Sequence, residues 1–281
     1  MNSSITIRQA QKPDSPLIAD FLSRATSIHR HLDWQGVLDW IPFDPFLMMQ
    51  DEYRLKAILS CPPDLEKIAW IRCFACDKKF DLGQTWEALF NEILTLPNMA
   101  GTSLYSVGLN NWFADLLVSS GFVNFQNIVV LQWNEKMPAF APVNQPWFIR
   151  PMENTDLDQV AELDHSAFEP IWVNPPDKVK LAYGQAEHAS VVELDSRIIG
   201  YEMTTANHIS AHLARIATHP DFQHQHIGAS LITDMVGYFV HKGITQISVN
   251  TQSTNIASLA LYKSQGFELT GESFPVFKYQ I

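Results

Sequence analysis

From Ile227 onward, apolar side chains recur at Leu231, Ile232, Met235, Val236, Phe239 and Val240, and three- and four-residue spacing of this kind places them on one face of a helix. Gly243 follows as a C-terminal stop. The pattern predicts a core-facing helix. Upstream, short apolar runs predict strands near residues 190–193, across 197–204 and across 210–218. Downstream, the pattern predicts a strand over 246–250 and a helix from about Asn255 to Gln265, stopped by Gly266. Closing strands are expected around Phe267 and from Val276 to Tyr279. Strands and helices in this order describe an α+β fold, a mixed and mostly antiparallel sheet flanked by helices.

The start of the chain resembles its own middle. Ile5-Thr-Ile-Arg-Gln-Ala precedes a helical pattern that begins near Pro13, and Trp147-Phe-Ile-Arg-Pro-Met precedes one that begins near Asn154. Ile7-Arg8 therefore matches Ile149-Arg150 at an offset of 142 positions. A second correspondence runs from Asn110, Leu116, Leu117, Gly121 and Phe122 to Asn255, Leu261, Tyr262, Gly266 and Phe267, at an offset of 145. Two anchors with nearly equal offsets indicate a duplication, each copy about 130 to 140 residues long, the usual size of one compact domain. Between the copies, residues 136–146 carry three prolines and no glycine. Proline at that density continues neither a helix nor a central strand, so the expected division is 1–135, a linker at 136–146, and 147–281.

Composition narrows the function. A length of 281 residues and an apolar content of 46% fit two globular domains. The net charge of −11 argues against a nucleic-acid or anionic-membrane partner, which needs clustered Lys and Arg, and favours a neutral or cationic one. No apolar run approaches a membrane span and the first residues lack a signal-peptide pattern, so a soluble, cytoplasmic protein is expected. Cys61, Cys73 and Cys76 are too few for a disulfide framework, in keeping with a reducing compartment. Cys73 and Cys76 have Cys-x-x-Cys spacing but lie in a strand-like run without a second ligand pair, and read as buried apolar residues rather than as a metal or redox site. His219, His224 and His226 with Asp221 sit in one turn and are likewise not assigned to a metal.

The turn itself carries a stronger signal. Between a strand and the helix from Ile227 lies His219-Pro-Asp-Phe-Gln-His-Gln-His-Ile-Gly-Ala-Ser, with small residues opening the first helical turn. Free amides at a helix N-terminus, and a glycine without a Cβ, suit an anionic phosphate. Here the sequence resembles the GNAT superfamily, whose cofactor loop reads Gln/Arg-x-x-Gly-x-Gly/Ala after a strand ending in hydrophobic-x-Pro. Gln223-x-x-His226-x-Gly228 follows Ile216-Ala-Thr-His-Pro220, with His226 where the family has its first glycine. The second signature, Asn-x-x-Ala/Ser-x-x-Leu-Tyr-x-x-x-Gly-Phe, is intact from Asn255 to Phe267. The resemblance is strong over 147–281, while the first half appears only through the repeat, as a degenerate GNAT-like domain.

The resemblance implies an acetyl-CoA-dependent N-acetyltransferase. Its co-substrate would lie between two splayed strands, pairing through pantetheine with the backbone of Ile216, Ala217 and Thr218. Its pyrophosphate would rest on the amides of Gln223, His224, Gln225, His226, Ile227, Gly228, Ala229 and Ser230. Seven residues separate Asn255 from Tyr262, which puts them within roughly 20° on one helix face. Asn255 can then hold pantetheine while Tyr262 reaches the sulfur as general acid. The acceptor would be a primary amine of a small molecule or of a peptide or protein N-terminus. It must lose a proton before attack, and Glu202 is the first candidate base because its strand face is expected to border the acceptor site. His212 is the second. The alternative is a non-catalytic acyl-CoA-binding or regulatory protein, motivated by His226 and the degenerate first half.

Overall fold

The computed structural model describes residues 5–52, 54–136 and 145–281; most of the expected linker, 137–144, lies outside them. The chain forms two compact units, Met1–Gln126 with Phe274–Ile281, and Asn127–Ser273. The second unit is one continuous segment, whereas the first also takes in the last eight residues of the chain, and the reason lies in the strand that ends each repeat.

In the first unit the elements are β1 (Thr6–Gln9), α1 (Ser15–Arg24), β2 (Ser27–Arg30), β3 (Phe46–Gln50), β4 (Leu55–Ser60), β5 (Pro63–Leu65), β6 (Ile68–Trp70), β7 (Cys73–Cys76), α2 (Leu82–Thr95), β8 (Ser103–Val107) and α3 (Asn111–Ser119). Then comes β9 (Val123–Trp133). The second unit adds β10 (Phe148–Pro151), α4 (Leu157–Ala167), α5 (Pro176–Gln185), β11 (His188–Leu194), β12 (Arg197–Ala206), β13 (Ser210–Thr218), α6 (Ile227–His241), β14 (Gln246–Gln252), α7 (Ile256–Ser264) and β15 (Phe267–Gln280). The two closing strands expected from the apolar pattern are one strand, β15.

The duplication read from sequence recurs in the strand register. Ile7 pairs with Met49 as Ile149 pairs with Val192, and Ala57 pairs with Cys76 as Gly200 pairs with Thr218. The parallel pair Ile68–Ser103 is matched by Ser210–Gln246. Even one ion pair repeats: Arg8 grips Asp14 at 2.7 and 2.6 Å, and Arg150 grips Asp156 at 2.7 and 2.8 Å. The closing strands are exchanged. β14 takes Ile128–Gln132 of β9 as its antiparallel neighbour, and β8 takes Val276–Gln280 of β15. Each repeat's last strand thus completes the other unit.

Helices cover both faces of each sheet, which is why strands such as β4 are buried throughout, its Lys56 paired with Asp51. Leu59 faces Trp86 and Leu89 of α2, while Ile58 faces Ile18 and Phe21 of α1, as strand alternation requires. In the second unit, Ile232, Met235 and Phe239 of α6 pack on Leu213 of β13 and Val249 of β14, with Leu131 of β9 in the same core. Each of these fully buried side chains contributes roughly 1.5–3 kcal/mol. Cys61, Cys73 and Cys76 are free thiols buried in the first unit, and burial pushes Cys73 up to about 12. No helix among the described residues is long and apolar enough to cross a membrane.

Candidate active site

The second unit has a gap in its sheet. β13 and β14 run parallel and pair only from Ser210–Gln246 to Leu213–Val249. Ala214 is an extra residue against β12, because Met203 pairs with Arg215 but Thr204 pairs with Leu213. Such a bulge turns the strand and resets which face its side chains take. Leu213 and Ile216, three residues apart, accordingly both pack towards α6, and His212 and Arg215 share the opposite face. Beyond the bulge β13 leaves β14, and a cavity of about 140 Å³ opens between them. Its walls include Ala214, Arg215 and Ile216 of β13, Val249 to Gln252 of β14, Asn255 and Tyr262 of the last helix, and Phe168 and Trp172.

The same place in the first unit is closed. There β2 pairs along Cys73–Cys76, the stretch equivalent to 215–218, with His29 opposite Phe74. His29 is fully buried, stacks on Phe113 at 4.0 Å and lies 3.3 Å from Ser106 Oγ of β8. Burial lowers its pKa to about 4, so it is neutral. The corresponding segment of the second unit, Glu169–Trp172, carries Pro170, with Pro175 and Pro176 soon after. Proline lacks the N–H that a ladder needs, so this segment makes a short 3₁₀ turn at the cavity wall and leaves the strand edge open.

The helix starts differ in parallel. At α2, Asp81 accepts a hydrogen bond from the Gln84 amide at 2.8 Å, so a carboxylate already caps that helix. At α6, His226 offers no side-chain cap, and no described residue accepts from the amides of His224 to Ala229. His226 has φ of 62°, the left-handed region that glycine occupies without strain. Gly228 packs so tightly that an added Cβ would lie 2.9 Å from Leu261 Cδ2.

Of the residues expected from sequence, Ile216, Asn255 and Tyr262 meet in the cavity. Ala217 and Thr218 continue the open strand, and Gln223 to Ser230 form the uncapped loop and first turn of α6. Asn255 also caps α7, its Oδ1 accepting from the Ser258 amide at 3.0 Å. Burial raises the Tyr262 phenol above its ordinary range, against the pull of the Arg215 charge, so Tyr262 keeps its proton at any working pH.

Glu202 is not at the cavity. It lies on the face that carries Gly200 under Ile227 and Leu231 of α6, fully buried and hydrogen-bonded by Ser190 at 3.2 Å and Thr204 at 2.7 Å. His188 Nδ1 is 2.7 Å away, and its Nε2 is 3.5 Å from Asp234 of α6. Burial raises the Glu202 pKa against the pull of His188. Burial alone would lower His188, but Glu202 and Asp234 outweigh it and raise the net value. Both groups thus hold protons more tightly folded than unfolded. Glu202's share of stability is lost as pH rises from its unfolded value, and His188's as pH rises through its folded one. The melting temperature is expected to fall between pH 5.5 and pH 8, and Glu202→Gln to flatten that fall. Parallel pH profiles for wild type and variant in scanning calorimetry would refute the coupling.

His212, the second candidate, shares the Arg215 face; its Nδ1 lies 2.9 Å from Ser248 Oγ, and Asn250 at the cavity wall hydrogen-bonds its ring. Burial lowers its pKa against that bond, so the ring is neutral at pH 7. Arg215 and Asp164 drew no assignment from the sequence, although a charge inside the apolar run Leu213–Ala217, and another on the buried face of α4, signal a buried pair. Arg215 Nε and Nη2 donate to Asp164 at 2.7 and 2.8 Å, and Nη2 also donates to the Trp172 carbonyl at 2.6 Å. Tyr201 donates its hydroxyl to the same carboxylate. Among the described residues no group of three or more His, Cys, Asp or Glu could hold a metal ion.

Residues 157–267 match the model of the Acetyltransferase (GNAT) family. Over 121 residues the chain is 26% identical to the [ribosomal protein bS18]-alanine N-acetyltransferase of Escherichia coli (strain K12), covering 42% of this chain and 79% of that one. The Salmonella typhimurium enzyme of the same name is 30% identical over 73 residues, 26% of this chain and 49% of that one. A tandem GNAT protein from the clavulanic acid biosynthesis pathway superposes with a TM-score of 0.68 at 12% identity, covering 99% of this chain and 98% of that one. A GCN5-related N-acetyltransferase from Sphaerobacter thermophilus superposes with a TM-score of 0.62 at 12% identity, over 98% and 95%.

Proposed function

We propose, from the premise that residues 157–267 are a domain of the GNAT acetyltransferase family, that the second unit transfers the acetyl group of acetyl-CoA to a primary amine by direct attack. The observation that carries this reading is the open edge of β13 from Ala214 to Thr218, with Tyr262 and Asn255 in the wall of the same gap and an uncapped helix start following the strand. An unpaired strand edge offers amides and carbonyls to the two amides of pantetheine. The free amides of His224 to Ala229 and the positive end of α6 suit the pyrophosphate. Gly228 and Ala229 keep that approach free of bulk.

His212 is the proposed base in place of Glu202, because it shares the Arg215 face, is neutral and is hydrogen-bonded to Asn250 of the cavity wall; it does not itself line the cavity, so the ammonium proton would reach its ring through water. The freed nitrogen attacks the thioester carbonyl and the C–S bond breaks. Tyr262 donates its proton to the leaving sulfur and recovers one from solvent. The enzymes named for the N-terminal alanine of a ribosomal protein support an α-amine of a peptide or protein as the acceptor class.

Thiol release from acetyl-CoA over an amine panel tests the transfer itself. Release that tracks acceptor concentration is expected, and CoA binding without turnover of any amine would leave an acyl-CoA-binding protein instead. The first unit is expected to take no part in cofactor binding, since β2 occupies its strand edge and Asp81 its helix start. Calorimetry on the full chain should therefore show one CoA per chain, and two equivalent sites would contradict this account.

A further inference from the structure

The acetyl-transfer reading takes its α-amine acceptor from the named enzymes alone, and the cavity wall offers a residue of this chain that would recognise one. Among the residues that line the cavity there is one cation, Arg215, and no carboxylate. Most enzyme sites for polyamines or other multiply charged amines need acidic partners for the ammonium groups that do not react. Here a second ammonium would find no carboxylate in the wall, since Asp164 is already committed to Arg215 and Tyr201, and Arg215 lies close enough for its pull to be felt at Tyr262. Both facts weigh against a polycation.

Arg215 is also held rigidly with one end spare. Nε and Nη2 are committed to Asp164 and to the Trp172 carbonyl, and the guanidinium lies 3.5 Å from the centre of the Phe168 ring. Asp164 is fully buried and Tyr201 donates to it as well, so the fork cannot swing without breaking several bonds. The bonds to Asp164 and to the Trp172 carbonyl leave Nη1 of Arg215 unused. A fixed, charge-assisted donor beside the acid at the sulfur is suited to an oxygen acceptor on the incoming amine.

We propose that Arg215 Nη1 binds an oxygen of the carbonyl or carboxylate group attached to the carbon that bears the reacting amine, so that the acceptor is an α-amino group, of a free amino acid or of a peptide N-terminus. Resting on the acetyl-transfer reading, this makes Arg215 a specificity-determining residue. The cavity of about 140 Å³ must also take the acetyl end of the co-substrate, which leaves room for a short side chain.

The test uses the full chain with acetyl-CoA and two sets of amines. Alanine, alaninamide and an Ala-Ala dipeptide carry the neighbouring oxygen; propylamine, spermidine and Nα-acetyllysine do not. The first set is expected to exceed the second at least tenfold in kcat/KM. Within it, activity on alanine alone assigns the oxygen to a free carboxylate, and activity on alaninamide and the dipeptide assigns it to a peptide carbonyl. Arg215→Lys keeps the charge but loses the fork; it should raise the acceptor KM and erase the preference while the acetyl-CoA KM stays the same. Equal turnover of propylamine or spermidine would overturn the assignment, as would a preference that survives Arg215→Lys. If that variant fails to fold, the wild-type ranking decides alone. Acetyl-CoA binding with no amine turned over would instead remove the transfer reading, and this assignment with it.

Discussion

Gly228→Glu is expected to abolish acetyl-CoA binding, with an affinity loss of at least about 10²-fold, while the protein still folds. A glutamate in the first turn of a helix is favourable to the helix itself, because its charge opposes the macrodipole. That same carboxylate would take the free amides of the His224–Ala229 stretch and repel a pyrophosphate from them. The steric part is smaller, since the new Cβ meets Cδ2 of Leu261, the end of a flexible side chain. Gly228→Ala separates the two, and should lose little affinity and some stability. Calorimetric titration with CoA on both variants, alongside their melting temperatures, measures the charge effect. CoA binding at wild-type strength in a folded Gly228→Glu protein would move the phosphate site away from α6.

Tyr262→Phe is expected to lower kcat by about 10²-fold with the acetyl-CoA affinity nearly unchanged, the lower end of the range for general acid catalysis. The ring is almost fully buried against Phe267, and phenylalanine keeps that packing. The raised pKa of Tyr262 cuts both ways, keeping the phenol protonated yet making it a reluctant donor towards a thiolate whose own pKa is near ~8.5. Arg215 partly offsets this by favouring the phenolate. The hydroxyl therefore assists departure of the sulfur without being indispensable. The repeat supplies a natural contrast, because the matching residue of the first unit is Leu117, buried in its core and unable to donate a proton. Single-turnover rates, which exclude product release, are the appropriate measure. Wild-type rates in the phenylalanine variant would leave Tyr262 a packing residue.

The local elements and the duplication were legible in the sequence because each rests on short-range rules. Helical spacing from Leu231 to Val240 yields α6, Gly243 and Gly266 follow the last two helices, and matched segments at offsets of 142 and 145 become matched strand registers. The approach of Asn255 and Tyr262 to one cavity was legible too, since seven residues is close to two helical turns. Glu202 shows where that reasoning stops. Strand alternation placed it correctly with Gly200 on one face, but which face meets the acceptor depends on α6 packing over it, and that is a long-range outcome. The bulge at Ala214 is similar, for it exchanges the faces of His212, Arg215 and their neighbours without any local mark. Tertiary structure alone decided that the closing strands are exchanged between repeats, as identical pairing rules allow either partner. It alone also decided that β2 fills in the first unit the gap that Pro170 helps keep open in the second, because occupation of a strand edge depends on what else can reach it.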